Sequence, residues 1–569
     1  MNTETRTCQN CKSDFTIEPQ DFVFYEKMAV PPPTFCPLCR YQRRLMFRNE
    51  RTLYSRTCDK CEKKIIAAYR PDAPVTVYCN ACWWTGDWDG ASYARDYDPS
   101  RNFFEQFREM QLTVPFPQLT QDYQTMTGSD YTNYIGHVKN CYLTFDCDTA
   151  ENVLYCKSVV TCKDDMDCIG INNVNFSYEL VTGADSSRLF YSDDCIQCLD
   201  TYFSRTCSGL QNCFGCVNLR NKKYCWFNEQ LTKEEYEKRL AEYRLNTHAG
   251  VMRARAETDA FFLTKPVKFT HSSKNVNSSG EYIFHSKNAH DMYVAKGCEN
   301  TRYCQAITMN PVKDSYDYTE WGDNAERIYE SVTTGEGAAN VRFSWASWRQ
   351  GTMNLEYCMF VLSSHDMFGC IGMKKQEFGI LNKQYSKDDF EKLRAQIISD
   401  MMNNPYVDAN GRVWKYGEFF PYDLALCDYN ESTTTQHFPL TREEALAKGY
   451  RWHDGERNHY TITKQSADLP DSIRDVTDEI LKEIISCEKC SKAYRIIKAE
   501  LDLLKNFDLP LPRNCPDCRH LSRLARMGKP FLYHRSCMKP GCSNEFEAAY
   551  APDRPEIVYC ESCFQQELV

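Results

Sequence analysis

The chain has 569 residues, of which 42% are hydrophobic and 26% charged, with a formal net charge of −10 at pH 7. This composition excludes disorder throughout the chain, and the length allows several domains with cores of their own. We expect neither secretion nor a membrane span, because no apolar h-region opens the chain and no run of 18 apolar residues occurs. The 32 cysteines then indicate a reducing cytoplasm, where thiolates bind metal; an oxidised, secreted protein is the alternative.

Charge is distributed unevenly along the chain. Residues 36–70 contain ten Lys or Arg and three acids, and residues 513–539 contain seven and one. The remainder carries about −23, so two basic ends flank an acidic middle.

Cysteine pairs mark a module at each end, residues 1–98 and 471–569. The first three pairs of each module recur at the same separations, 28 and then 22 positions. The ligands are Cys8, Cys11, Cys36, Cys39, Cys58, Cys61, Cys79 and Cys82, and then Cys487, Cys490, Cys515, Cys518, Cys537, Cys542, Cys560 and Cys563. Because a Cys-x2-Cys turn places two thiolates on one side of a tetrahedral ion, the spacing predicts four structural zinc ions. Sequential pairing is the first expectation, and interleaved pairing is the alternative.

The modules also share sequence between the cysteines, since residues 36–45 match residues 515–524. Residues 8–40, with a Phe-Tyr-x-Lys stretch before a Cys-x2-Cys-Arg end, resemble the bacterial "probable zinc-ribbon" family, as residues 487–519 do without the Phe-Tyr. The whole chain, with Arg-Asn-Glu-Arg at 48–51, resembles an uncharacterised family of uncultivated small-genome bacteria whose members often carry the CaiB/BaiF label. The resemblance implies zinc ribbons, and the residues give no support for CoA-transferase activity.

Arginines alternate with aromatic residues between the zinc knuckles, a pattern typical of phosphate contact combined with base stacking. They are Arg40, Arg43, Arg44, Arg48, Arg51 and Arg56, and then Arg519, Arg523, Arg526 and Arg535. We therefore expect polyanion binding by both modules. The alternative is that these arginines pair with acids of the middle region and face inward.

The middle of the chain predicts a duplicated β-solenoid, similar to a parallel β-helix. A linker (99–130) leads to copy 1 (131–262) and copy 2 (263–402). Short apolar clusters entered through Asn or Asp recur about every 21 residues in copy 1, and similar positions recur every 10 to 15 residues in copy 2. Copy ends align at an offset of 154 positions, and each enters a capping helix through Thr232-x-x-Glu235 or Ser386-x-x-Asp389. An antiparallel sandwich is the alternative.

Cysteines inside the predicted solenoid allow two interpretations. Cys195 with Cys198 and Cys213 with Cys216 have ligand spacing, but copy 2 has Met367 at the position of Cys213. Core packing is favoured, because buried Cys behaves as a small apolar residue.

After copy 2, a connector (403–470) contains one helix capped by Thr441-x-x-Glu444, and residues 471–485 predict an amphipathic helix. No P-loop, His-Glu-x-x-His or Gly-x-Ser-x-Gly motif is present.

We expect a mainly β protein with some α, in which two double-zinc modules of ribbon or treble-clef type flank the duplicated solenoid. We expect it to act as a non-enzymatic zinc scaffold for RNA or a ribonucleoprotein, without a small-molecule substrate. A scaffold binding a protein along the solenoid face is the first alternative. The second is a carbohydrate-active β-helix enzyme, for which Asp193 with Asp194 and Asp317 with Glu320 are the candidate acids.

Overall fold

The structure is a computed structural model that describes residues 2–455 and 460–568. It is mainly β with some α, as predicted, with 32% of residues in strands and 24% in helices. The chain divides into two compact units, each built from two separate segments. The first unit is Met1–Thr120 with His271–Asp454, and the second is Gln121–Thr270 with Gly455–Val569. Each terminal module therefore shares a unit with one half of the middle region.

The second unit contains a stack of parallel strands, which we call the first stack because it comes first in the chain. Each strand pairs with the one a turn later, as Ile135 pairs with Cys147 and Cys147 with Val159, and side chains bond at a separation of 12 residues. The predicted repeat of about 21 residues is wrong, because it spans neither one turn nor two. The strands are Asn133–Lys139, Phe145–Glu151, Lys157–Lys163, Ile169–Asn175, Val181–Phe190, Asp193–Ile196, Leu199–Tyr202, Gln211–Phe214, Cys225–Trp226 and Glu229–Gln230.

Every third residue of the first stack has a left-handed backbone. From Tyr134 to Phe227, φ at these positions lies between 45° and 69°. The residue after each of them is buried, as Ile135 and Val138 are, except at Gly183, Lys222 and Asn228, which are partly exposed. Asn and Asp tolerate this conformation better than other residues with a Cβ. The period of three therefore explains both the frequent Asn and Asp and the small apolar residues that fill the interior.

The first unit contains the second stack, which has the same parallel pairing with less regular turns. Its separations range from 11 to 14 residues. The strands are Ser272–Ser273, Gly280–Phe284, Lys287–His290, Met292–Lys296, Cys298–Arg302, Gln305–Ile307, Val312–Lys313, Tyr316–Gly322, Ala325–Gly335, Ala339–Arg342, Trp345–Ser347, Met353–Glu356, His365–Phe368, Glu377–Ile380 and Lys383–Gln384.

Both stacks end in an antiparallel hairpin followed by a capped helix. Thr232 Oγ1 accepts from Glu235 N before helix Lys233–Tyr243, and Ser386 Oγ accepts from Asp389 N before helix Lys387–Asn403. Both predicted caps are confirmed. In the first unit the ring of Phe390, on the capping helix, lies 5.9 Å from the ring of Phe378 in the hairpin, edge to face.

The second unit repeats this contact 154 positions earlier in the chain. Tyr236 lies 5.9 Å from Tyr224, again edge to face. The equal geometry supports the predicted duplication of the stack ends. A further helix, His248–Phe262, follows in this unit.

The terminal modules are built from short hairpins and helices. The N-terminal module and the segment after it contain strands Glu4–Thr7, Asp14–Ile17, Tyr54–Thr57, Lys64–Ala67, Val77–Tyr78 and Phe116–Pro117 and helices Pro19–Lys27, Pro37–Leu45, Asn80–Trp84 and Phe103–Gln111. The last part of the second unit contains strands Pro266–Lys268, Lys464–Gln465, Ile485–Ser486, Ala493–Tyr494, Tyr533–Ser536, Glu545–Ala548 and Ile557–Tyr559 and helices Lys498–Phe507, Pro516–Met527 and Glu561–Gln565.

The connector contains strands Tyr406–Val407 and Val413–Trp414 and helices Thr434–His437 and Arg442–Ala447. Thr441 and Glu444 form the predicted capping box. The helix predicted over residues 471–485 is wrong: only the short 3-10 turns Ile473–Asp475 and Asp478–Lys482 form there. Within the described ranges, no helix combines the length and apolar character needed to cross a membrane.

Candidate metal centres and arginine docking sites

Sixteen cysteines form four groups whose sulfur atoms lie within 4.8 Å of one another. Their membership follows the sequential pairing, so interleaved pairing is excluded. The groups are Cys8, Cys11, Cys36 and Cys39; Cys58, Cys61, Cys79 and Cys82; Cys487, Cys490, Cys515 and Cys518; and Cys537, Cys542, Cys560 and Cys563.

Each group joins a hairpin turn to the start of a helix. Cys36 precedes helix Pro37–Leu45 and donates its backbone N–H to Cys8 Sγ at 3.2 Å. The corresponding bonds of the other groups, from Cys79 to Cys58, Cys515 to Cys487 and Cys560 to Cys537, measure 3.1, 3.2 and 3.3 Å. The turn and the helix start are thus held in the same way four times.

The sulfur spacing fits a tetrahedral ion. Cys11 and Cys36 sulfurs are 3.7 Å apart, and those of Cys542 and Cys560 are 3.9 Å apart. A tetrahedron with Zn–S bonds of about 2.3 Å has S···S edges of roughly 3.8 Å. Four thiolates of this spacing could hold a metal ion with every coordination position filled by protein.

The helix that begins at Cys36 carries arginines into the second stack. Arg43 Nη2 lies 2.9 Å from Glu330 and 3.0 Å from Glu418, and Arg44 Nη1 lies 3.2 Å from Asp317. These arginine side chains are fully buried. Burial acts to lower the pKa of the Arg43 guanidinium, but Glu330 and Glu418 outweigh it and the pKa lies above its usual value.

The helix that begins at Cys515 makes the equivalent contacts in the second unit. Arg519 and Arg523 lie 2.6 and 2.7 Å from the two carboxylate oxygens of Asp167. Arg526 reaches Glu179 at 2.9 Å. Burial acts to raise the pKa of Glu179, but Arg255 and Arg526 outweigh it and hold the pKa at about 2.

Each of the two helices packs against a column of stack residues from successive turns, which we call a ladder, and the two ladders are equivalent. In the second unit Tyr155, Asp167 and Glu179 occupy successive turns, and the guanidinium carbon of Arg519 lies 4.6 Å from the Tyr155 ring. All three have a left-handed backbone. The ring contact, the arginine pair and the glutamate therefore come from one edge of the stack.

The first unit has the corresponding ladder Tyr303, Asp317 and Glu330, also left-handed. The guanidinium carbon of Arg40 lies 5.2 Å from the Tyr303 ring and its Nη2 lies 2.9 Å from Asp317. Sequence reasoning missed this ladder, because its two copies are offset by 148 to 151 positions rather than by 154.

The predicted polyanion-binding surface is therefore corrected for most of its residues. These arginines are buried and face carboxylates or backbone carbonyls, so phosphate cannot reach them: Arg40, Arg43, Arg44, Arg48, Arg56, Arg519 and Arg523. Arg526 is partly buried beside Glu179, and Arg535 donates to the Ala551 carbonyl. Arg51 is partly exposed.

Three of the four candidate catalytic acids form ion pairs with arginines. Asp317 pairs with Arg40 and Arg44, and Glu320 lies 3.5 Å from Arg48. Asp193 pairs with Arg205, and Asp194 accepts from Thr182. Asp193, Asp317 and Glu320 are buried and Asp194 is partly exposed, so neither pair has both carboxylates on an exposed stack face, as a sugar-cleaving pair would need.

The cysteines inside the stacks are buried and belong to none of the four sulfur groups found among the described residues. In the second stack the Met367 side chain occupies the space beside Gly379, where a Cβ would lie 2.8 Å from its sulfur. Methionine and cysteine thus fill equivalent interior space.

A groove of about 540 Å³ runs across the turns of the first stack. Thr149, Thr161, Lys139, Glu151 and Lys163 are among the residues that line it. Glu151 accepts from Lys139 at 3.0 Å and lies 3.1 Å from Lys163. The lining residues of successive turns repeat at the strand spacing of roughly 4.8 Å.

Neither a protein-family model nor a curated protein matches the chain. Three solved chains match, among them a "putative acetyltransferase" from Desulfovibrio desulfuricans G20. It is 9% identical, and the match covers 50% of this chain and 84% of that chain with a TM-score of 0.10. A TM-score this low carries no conclusion about fold or activity.

Proposed function

We propose that this chain is a non-enzymatic zinc scaffold, in which each of two double-zinc ribbon modules packs against its own half of a duplicated β-solenoid. One observation carries the proposal: a helix begun by a cysteine pair inserts buried arginines among the carboxylates of a parallel stack, once in each unit. The metal group fixes the helix start, and the arginines fix the helix to the stack.

Zinc is the metal that this donor set favours, since four thiolates in a tetrahedron are typical of structural zinc. Cys8, Cys11, Cys36 and Cys39 would hold one ion, and the three equivalent groups would hold the others. Bound zinc would supply folding energy, on the order of 10–16 kcal/mol of apparent binding energy in small modules. A closed site leaves no position for substrate.

A solenoid is the simplest account of the stacks. In the first stack, parallel pairing at a steady separation of 12 residues builds an elongated surface, and the hairpin and helix at its end protect the last strand from pairing with other chains. The exposed groove beside Lys139 and Lys163 is the surface that we assign to a partner.

We favour a protein partner over RNA, because the arginines that would contact phosphate are already paired. The alternating Lys139, Glu151 and Lys163 suit a polypeptide of mixed charge better than a uniform polyanion. The many buried thiols suit a reducing compartment such as the cytoplasm.

Native mass spectrometry of the untagged chain, purified without chelator, tests the scaffold. We expect four zinc ions per chain, and fewer would contradict the assignment. In protein isolated from its own cells, we expect a protein adduct that survives nuclease and is lost in Lys139→Glu with Lys163→Glu. Lys233→Glu with Lys238→Glu, on a capping helix, is the matched control and keeps the adduct. A nuclease-sensitive adduct would instead favour RNA, and no adduct would contradict the groove assignment.

A further inference from the structure

Lys374 in the first unit places its ammonium group among three tryptophan rings. Its Nζ lies 3.7 Å from the ring centroid of Trp83, 4.8 Å from that of Trp88 and 5.6 Å from that of Trp84. An indole face attracts a cation within about 6 Å of its centroid. The three rings therefore form an aromatic cage around one cation.

The cage is rigidly built. The indole N–H of Trp83 donates to the Pro115 carbonyl at 3.1 Å, and that of Trp88 donates to the Trp83 carbonyl at 2.8 Å. Gly372 leaves room for the ring of Trp88, because a Cβ at position 372 would lie 3.0 Å from Cη2 of that ring. These contacts orient the Trp83 and Trp88 rings independently of the lysine.

The caged ammonium forms no ion pair with a carboxylate in the described part of the chain. Its Nζ donates to the Trp83 carbonyl. Burial lowers the pKa of Lys374 to about 8, although Asp89 opposes this shift. An ammonium that loses water without gaining an anion is costly to bury. The cage thus suits a less hydrated cation better than a primary ammonium.

We propose that Lys374 is a site of N-methylation and that the cage holds its monomethylated or dimethylated form. Methylation keeps the positive charge while it replaces N–H groups by methyl groups that contact the indole faces, as aromatic cages bind methyl-lysine. One hydrogen stays on Nζ for the Trp83 carbonyl. This bond limits the modification to two methyl groups.

The methyl donor would be a sulfonium compound. Nζ first releases a proton to solvent, and its lone pair then attacks the methyl carbon. A C–N bond forms as the C–S bond breaks, and the sulfonium leaves as a neutral thioether. The side chain of Lys374 is only partly buried, so a methyltransferase can reach the amine when the side chain leaves the cage.

Peptide mass spectrometry of the full chain isolated from its own cells tests the proposal. We expect the peptide with Lys374 to carry the mass of one or two methyl groups, and the peptide with the exposed Lys375 to be unmodified. Lys374 that is unmodified in all molecules, or trimethylated, would overturn it.

A second measurement tests the preference of the cage. Recombinant wild type and Lys374→Arg are dimethylated at their lysines with formaldehyde and a borane reductant. We expect the thermal midpoint of the wild type to rise by about 2 °C or more relative to that of the variant. Trp84→Leu, which removes one wall, should lose this gain. Equal shifts in wild type and both variants would overturn the proposal.

Discussion

Arg44 and Asp317 form an ion pair from which solvent is fully excluded, with Nη1 of the arginine 3.2 Å from the carboxylate. Arg523 and Asp167 repeat this pair in the other unit at 2.7 Å. The basic ends and the acidic middle of the sequence therefore neutralise each other within each unit. These opposite charges hold each terminal module on the stack of its own unit.

Removing one partner of this buried pair should destabilise the first unit. We expect Arg44→Ala to cost about 3–5 kcal/mol, because it leaves buried carboxylates without their full compensation. Urea unfolding followed by tryptophan fluorescence measures the loss. Arg442→Ala removes an exposed pair with Asp454 and should leave the unfolding midpoint unchanged. Equal midpoints for the two variants would contradict the burial of Arg44.

Replacing one metal ligand should remove one ion and loosen one arginine helix. Cys36→Ser takes a sulfur from the first group and also alters the residue that begins helix Pro37–Leu45. We expect three zinc ions by native mass spectrometry and rapid proteolysis within residues 37–45. Cys298→Ser changes an equally buried cysteine inside the second stack and should keep four ions. Loss of an ion from that variant would mean that stack cysteines bind metal.

Asp165 should make the stability of the second unit depend on pH. It is fully buried inside the first stack, and burial holds its pKa well above the usual value. Its contribution is complete below the unfolded pKa of about 3.9 and is lost as pH rises through the raised folded pKa. Asp165→Asn should therefore be more stable than wild type at pH 8, with the difference shrinking towards pH 4.

Urea midpoints at the two pH values measure this difference. Asp164→Asn, at the partly exposed neighbour that accepts from Asn152, is the control and should follow the wild-type profile. A wild-type profile for Asp165→Asn as well would show that Asp165 is ionised in the folded protein.

Gly369 should tolerate no side chain. Its φ is +63°, and a Cβ would lie 2.9 Å from the Phe103 ring. We expect Gly369→Ala to lower stability by about 1–3 kcal/mol, measured as a fall in the thermal midpoint. Gly337→Ala also has positive φ, but nothing lies within 4 Å of its Cβ, so its loss should be smaller. Similar losses of stability for the two variants would show that the positive φ, and not the contact with Phe103, causes the destabilisation.

The sequence predicted the metal groups well, because ligand spacing is a local property. Cys36 and Cys39 recur as Cys515 and Cys518 with the same neighbours, and sequential pairing needs no information about the rest of the fold. The capping helices were predictable for the same reason, since Thr232 and Ser386 act on amides three residues away.

The number of residues in each turn and the burial of the arginines could not be predicted from local sequence. The period of three was present in the sequence, as Val153, Cys156 and Val159 illustrate, but a search for clusters of apolar residues averages over it. Whether Arg44 faces solvent or Asp317 depends on a contact across 273 residues. Such a contact is set by packing and not by local composition.

Hydrogen–deuterium exchange with and without bound zinc tests the central claim most directly. If the metal groups hold the arginine helices on the stacks, chelation will raise exchange in residues 37–45 and 516–527 and in the turns around Asp317 and Asp167. The hairpins at the stack ends, around residues 225–230 and 377–384, should keep their protection. Unchanged exchange in both helices after complete zinc removal would contradict the account.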